Sequence, residues 1–338
     1  MRGSSRVLAS VLAALTIFAL YQRIKNTETR KYLNGDVVER PRSSIRADNH
    51  QPMYDIYKTA NEIPADLEKN QPLVSFEDIT ITLRCLDEIF ENVRSTHSKF
   101  QDQWKSYSKY VQICSNSLLS KLPVTILKNK DEEKYFVKPI DKNDPLRVVT
   151  LGIGKDVKAE KQLKGLYPQT TFFGVDLDEV DSGRMYKQEL GGEFLKGLVG
   201  AQEGTYKASI FRFEGKRGGK NDYTNHDLQH YSFKQVLNSF RINDTIDFLL
   251  MDIEGDEFAL FPEIAFNPEN YPVICQIDVE FHDATQYNET GLNIINVFSQ
   301  VTSNGRYLYI HDTPLSVFHR SYFVNVMDQY CLKKFFGL

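Results

Sequence analysis

From residue 146 to the end, short apolar runs alternate with amphipathic stretches, and this alternation constrains the fold more than any other feature. Strand-like runs occupy 147–153 (RVVTLGI), 170–175 (TTFFGV), 246–253 (IDFLLMDI), 273–281 (VICQIDVEF), 307–310 and 322–327, and helical spacing recurs at 157–167, 233–240, 257–264 and 292–302. A strand that returns parallel to its predecessor needs a crossover, usually a helix, so the pattern predicts an α/β domain over 146–338 with a parallel sheet. The last two runs leave no room for a helix between them and predict a terminal antiparallel pair. Apolar residues at 41% and charged residues at 25% give the balance of an ordinary globular chain.

The preceding residues divide into four stretches. Residues 7–21 (VLASVLAALTIFALY) carry no charge and are flanked by Arg2, Arg6, Arg23 and Lys25. As a helix this run rises roughly 22 Å, short of the roughly 30 Å hydrocarbon core, which fits a signal anchor with snorkelling basic flanks or a signal peptide. The small-residue cleavage pattern is poor around Ala19, which favours the anchor. The expected arrangement is a cytosolic tail (1–6), the membrane segment (7–21), a polar stem (22–71) and a helical accessory region (72–145). In the last of these, Ile79, Leu83, Leu86, Phe90 and Val93, then Trp104, Tyr107, Val111, Cys114 and Leu118, recur at helical spacing. Ser75 and Asp78 offer a capping box for the first helix. A single-pass type II placement in the secretory pathway follows, with secretion as the alternative. The sequons at Asn243 and Asn288 suit it, and so do four cysteines, which allow three full pairings. Cys85 with Cys114 is the pairing to test first, while Cys275, in an apolar run, reads as a core residue. Net charge is −4, and the basic cluster Lys216, Arg217 and Lys220 is diluted by glycines, so no nucleic-acid partner is expected.

The chemistry-bearing residues sit at strand ends. The first run of the α/β region leads into Gly152-Ile153-Gly154, where a tight strand-to-helix turn and close ligand approach both call for glycine. The second ends at Asp176, the position from which an acid accepts hydrogen bonds from ribose hydroxyls. The third glycine of a dinucleotide fingerprint is missing, which argues against nicotinamide or flavin, and there is no P-loop. The third run emerges into Asp252-Ile253-Glu254-Gly255-Asp256-Glu257, with Asp252 or Glu254 expected toward the cleft and Asp256 and Glu257 capping the next helix. The fourth delivers Glu280 and His282 to the same edge. No metal-ligand set is expected.

With these residues in view, the segment DFLLMDIEGDEF (247–258), followed by VEFH (279–282) and preceded by YSFKQVL (231–237), resembles the FkbM-type methyltransferase family, in particular a divergent branch expanded in nematodes. The resemblance covers about 146–330. It implies a Rossmann-like class I methyltransferase sheet with S-adenosylmethionine as cofactor. Gly152 and Gly154 would line its methionine and ribose portion, Asp176 would hold the ribose hydroxyls, and Asp252 would lie near the sulfonium and the acceptor. The family commonly has an acid two positions before the first glycine. This chain has Thr150 there, whose hydroxyl can bond the cofactor's ammonium without charge attraction. The expected reaction is O-methylation of a glycan or other secretory-pathway acceptor, with Asp252, Glu254 or His282 as the base. Two rivals stand beside it. A lumenal glycosyltransferase would use Asp176-Leu177-Asp178 as a metal and nucleotide-sugar motif but leaves the glycine turn and the Asp252 motif unexplained. A non-catalytic binding module would have kept the fold and lost turnover.

Overall fold

The computed structural model describes residues 74–212 and 222–338. The tail, membrane segment and stem expected over 1–71 lie outside the described residues, among which no helix is long and apolar enough to cross a membrane.

The core is a seven-stranded mixed sheet. Its strands are β3 (Arg147–Leu151), β4 (Thr171–Asp176), β5 (Glu193–Lys196), β10 (Phe248–Met251), β12 (Gln276–Phe281), β13 (Tyr307–Leu315) and β14 (Phe318–Asn325), numbered with the shorter strands described below. The order is β13-β14-β12-β10-β3-β4-β5. Strands β5, β4, β3, β10 and β12 run parallel, whereas β14 is antiparallel to both neighbours, as the terminal pair predicted. The chain winds outward from β3 through β4 to β5, then restarts on the other side at β10. That reversal opens a switch point between the carboxyl ends of β3 and β10, where open α/β sheets bind ligands. Helices α3 (Lys158–Leu166), α4 (Arg184–Leu190), α5 (Phe233–Ser239), α6 (Glu257–Phe266) and α7 (Ile294–Asn304) occupy the connections.

Strand β12 shows how alternation becomes packing. Ile277, Val279 and Phe281 share one face, and the Phe281 ring meets Phe258, Phe261 and Phe298 of the covering helices. Gln276, Asp278 and Glu280 share the other, which is buried rather than solvated. A hairpin of β1 (Val124–Lys128) and β2 (Glu133–Val137) covers it, with Tyr135 N donating to Asp278 (3.1 Å) and Val137 N to Gln276 (2.8 Å). The polar side chains thus satisfy backbone donors that no strand reaches. This hairpin lies within 72–145, where the sequence predicts a helical accessory region, and Lys134 is buried in it by pairing with Glu132 (2.8 Å). Also unpredicted is a three-stranded sheet of β6 (Leu198–Gly200), β8 (Asp222–Ser232) and β7 (Gly204–Arg212). A parallel pair, β9 (Thr245–Ile246) with β11 (Val273–Ile274), extends two of the predicted strands.

The helices α1 (Phe76–Thr96) and α2 (Phe100–Leu119) form as the spacing predicts, and the Ser75–Asp78 capping box is made. They pack on the antiparallel end of the sheet: Phe90 lies against Tyr309, Tyr107 against Phe298, and Trp104 Nε1 donates to the Val317 carbonyl (2.9 Å). Beneath them, fully buried Asp312 accepts hydroxyls from Tyr309 (2.6 Å) and Ser321 (2.7 Å) and pairs with His319 (2.8 Å). Cys85 and Cys114 are bridged, joining the two helices. Cys275 corrects the sequence reading. It is buried, but bonded to Cys331, which ties the C-terminal turn to the strand between β11 and β12.

Candidate active site

The turn after β3 and the acid after β4 meet. Asp176 Oδ2 accepts the N–H of Ile153 (2.8 Å) and of Gly154 (3.1 Å), and Oδ1 accepts that of Asp178 (2.7 Å). The two glycines have different reasons to be glycine. At Gly152 (φ +78°) a Cβ would stand 1.7 Å from the Asp252 carbonyl oxygen, so it is the close approach of the β3 and β10 ends, and not of a ligand, that excludes a side chain. At Gly154 (φ +63°) a Cβ would meet nothing within 4 Å, and it is here that the turn borders open space. Thr150 corrects its expected role: it is buried beneath the turn, donating to Glu160 (3.2 Å) and accepting from Tyr186 (3.0 Å). Asp178 caps the following turn through Asp181 N (2.9 Å) and pairs with Lys155 (2.8 Å). Most acceptor sites of Asp176-Leu177-Asp178 therefore go to the chain's own donors, three of those on Asp176 to backbone N–H groups.

The second group gathers around His282. Asp252 leaves β10 with its N–H on the Leu151 carbonyl (2.9 Å). The next turn is strained: Glu254 has φ +56°, and at Gly255 a Cβ would stand 1.8 Å from the Tyr287 ring. Glu257, the first residue of α6, is fully buried. Its Oε1 accepts His282 N (2.9 Å) and faces Nδ1 (2.8 Å), while Oε2 accepts Gly255 N (2.8 Å). Asp256 makes no cap and instead meets His230 (3.1 Å). With Nδ1 held this way, His282 Nε2 points at Glu254 Oε2 (3.2 Å), Asp252 Oδ1 (3.6 Å) and Glu280 Oε1 (4.0 Å). Burial alone would lower this imidazole, but the bonds to Glu254 and Glu257 and the charge of Asp252 outweigh it and push it up to about 12. Asp252 is also pushed up, to about 8, by burial and the charge of Glu280.

A charged relay ties this group to the hairpin. Arg320 of β14 bonds Glu280 (2.6 Å) and Glu132 (3.2 Å), and Glu132 meets the buried Lys134. Burial pushes the nearby Asp278 and Glu160 up to about 7, against the pull of Lys134. The structure thus assembles Gly152, Gly154 and Asp176 on one side of the Asp252 carbonyl, and Asp252, Glu254 and His282 on the other. Sequence reasoning gave Glu257 only a capping role and passed over Glu132 and Arg320. Glu280, two residues before His282 on the same strand, is legible from its strand-end position, whereas no local signal marks Arg320 or Glu132, which arrive from distant segments. Asp252, Glu280 and His282 each offer one ligand atom within 4.8 Å of the others, a set the sequence reading did not expect.

The sequence model of a family described as "Methyltransferase FkbM domain" matches residues 116–315, more than half of the chain. No curated protein sequence matches it significantly. Solved structures resembling it include the fibrillarin pre-rRNA processing protein of Methanococcus jannaschii (10% identity, TM-score 0.34, covering 60% of this chain and 82% of that one). Another is Aeropyrum pernix fibrillarin with natively bound S-adenosylmethionine (11%, 0.32, 59% and 82%). A third is a putative O-methyltransferase of Nostoc punctiforme (10%, 0.27, 73% and 71%). Scores this low carry no argument about the chain's residues or substrate.

Proposed function

The chain belongs to the FkbM methyltransferase family of S-adenosylmethionine-dependent enzymes, and from that premise we propose that it methylates a hydroxyl oxygen of a glycan or other small acceptor in the secretory pathway. The observation that carries the reading is the meeting of the Gly152–Gly154 turn, Asp176 and Asp252 at the carboxyl ends of three adjacent strands, β4, β3 and β10.

The residues fit the cofactor on one test, the open space at Gly154, where a side chain would otherwise intrude. S-adenosylmethionine supplies a methyl group on a sulfonium, already a good leaving group, so the chain's residues have to hold, align and deprotonate. Asp176 has about four acceptor sites and gives three to backbone N–H groups, which leaves one for a ribose hydroxyl. Asp252, with 37% of its side chain exposed at the end of β10, is placed to take the acceptor's proton in its ionised form, which its raised pKa of about 8 makes a stronger base than an ordinary carboxylate. Glu254, 47% exposed, stands beside it. His282 has both ring nitrogens facing carboxylates and serves to position them rather than to accept the proton.

Secretory placement, with the N-terminal run as a type II anchor, is supported by the pairing of all four cysteines and by the exposure of Asn243 in its sequon. Calorimetric titration of the full chain with S-adenosylmethionine, and separately with UDP-sugars into chain already saturated with manganese, tests the activity class. Saturable binding of the first alone is the expected result. Nucleotide-sugar binding alone reverses the assignment in favour of a glycosyltransferase.

A further inference from the structure

We infer that Asp252, Glu280 and His282, with Glu254 as a fourth donor, form a binding site for one divalent cation of the manganese class beside the Gly152–Gly154 turn.

Spacing is the first ground. Donors about 2.1 Å from a metal stand about 3.0 Å apart at right angles and about 4.2 Å apart when opposed. From His282 Nε2 the three carboxylate oxygens lie at 3.2, 3.6 and 4.0 Å, inside that window. The set can therefore close on one ion with small side-chain adjustments.

The second ground is independent of spacing and lies in what holds the donors. The His282 side chain is 7% exposed, and its Nδ1 faces fully buried Glu257, so Nε2 is aimed into the cluster and cannot turn away. Metal-binding histidines are oriented in this way by a carboxylate on the far nitrogen. Glu257 is itself fixed by the N–H groups of Gly255 and His282. Glu280 repeats the device: Arg320 holds Oε2 at 2.6 Å, which leaves Oε1 as the oxygen toward His282. An incidental surface ion pair needs neither anchor.

Charge is the third. Four carboxylates, of Asp252, Glu254, Glu257 and Glu280, surround one imidazole, and the Arg320 guanidinium beside them is shared with Glu132. A dication entering here would take the place of the imidazole proton and keep these carboxylates neutralised. The donor chemistry selects the ion. Three carboxylates and one imidazole, without sulfur, suit an oxygen-preferring divalent ion such as Mn2+ better than soft Cu+, and the single imidazole is a less usual ligand for Mg2+ and Ca2+. A site with four protein donors leaves an octahedral ion positions for acceptor oxygens. That last role rests on the methyl-transfer reading, whereas the binding itself does not.

The full chain, stripped with a chelator and dialysed, would be titrated with MnCl2 and followed by the electron paramagnetic resonance of free Mn2+. The expected result is one ion per chain, with pulsed spectra showing 14N coupling from a single imidazole. Glu257→Gln, which disturbs only the anchor, should weaken binding about 10- to 100-fold and be checked for an unchanged melt. An Asp252→Asn, Glu280→Gln double variant should abolish it, and Glu189→Gln, on a distant exposed ion pair, should leave it intact. The spectra of the parent chain decide the matter if a variant fails to fold. Absence of stoichiometric binding, or binding without nitrogen coupling, overturns the site. Titration with S-adenosylmethionine on the same samples separates the two claims, since either can fail while the other stands.

Discussion

Asp176 offers the sharpest test of the cofactor reading, because its carboxylate has two jobs that can be measured apart. Three of its acceptor sites hold the N–H groups of Ile153, Gly154 and Asp178 at 2.7 to 3.1 Å, and the remaining one is assigned to the nucleoside. Asp176→Ala removes one charge-assisted bond to ligand, worth about 1.5 to 3 kcal/mol. The dissociation constant for S-adenosylmethionine should accordingly rise about 10- to 150-fold. The same change frees three backbone donors in a turn that water can partly reach, so the folded state should lose about 1 to 3 kcal/mol. Asp176→Asn keeps one oxygen for the Ile153 and Gly154 donors but drops the charge, and should fall between the parent and the alanine variant on both scales. Calorimetry well below the variant's melting temperature reads the first effect, and urea denaturation the second. An Asp176→Ala protein that unfolds cooperatively and binds S-adenosylmethionine as tightly as the parent chain refutes the assignment.

Three further outcomes are expected. The bridges Cys85–Cys114 and Cys275–Cys331 span 29 and 56 residues, and chain entropy assigns them about 3.5 and about 4 kcal/mol. Full reduction, confirmed by thiol titration, should therefore lower Tm by at least about 10 °C, and an unchanged melt would show the bridges to be dispensable. Gly152→Ala should fail to fold stably, since its Cβ would strike the Asp252 carbonyl. Gly154→Ala should fold at a cost of about 1 kcal/mol for its left-handed backbone yet lose cofactor affinity, so equal melts for the two would sink the distinction. Burial raises Glu160 from its ordinary 4.5 to about 7, so the folded chain holds this proton more tightly than the unfolded one. The stabilisation is full below about 4.5 and is lost as pH climbs to about 7, by up to about 3 kcal/mol. Glu160→Gln should lessen the slope of stability with pH in urea denaturation between pH 5 and 8, Asp278 and Asp252 supplying the remainder, and an identical slope in both proteins would rule Glu160 out as a source.

Much of the site was readable wherever neighbouring residues encode it. The glycine turn, Asp176 at a strand end and the acidic exit of β10 are each set by a run of about six residues whose period and sterics decide the backbone. What was misread shares a different property. Thr150, Asp256 and Asp178 had plausible local roles, but each found a nearer partner in Glu160, His230 and Lys155. A polar group inside a fold takes whichever complementary group packing delivers, and sequence spacing does not say which that is.

By itself the sequence determined the alternation that makes a parallel sheet, the apolar faces of α1 and α2, the Ser75–Asp78 cap and the turn at Gly152. These follow from side-chain period and backbone sterics over one or two turns of chain. Only the tertiary structure decided that the charged stretch before β3 is a hairpin, that Cys275 is bonded to Cys331, and that Glu132 and Arg320 reach the cluster around His282. The bridged cysteines and the Arg320–Glu132 pair lie from tens to nearly two hundred residues apart in the chain. Charged residues read locally as solvent-facing; burying them requires a specific opposite charge, and the folded sheet alone brings that charge within reach.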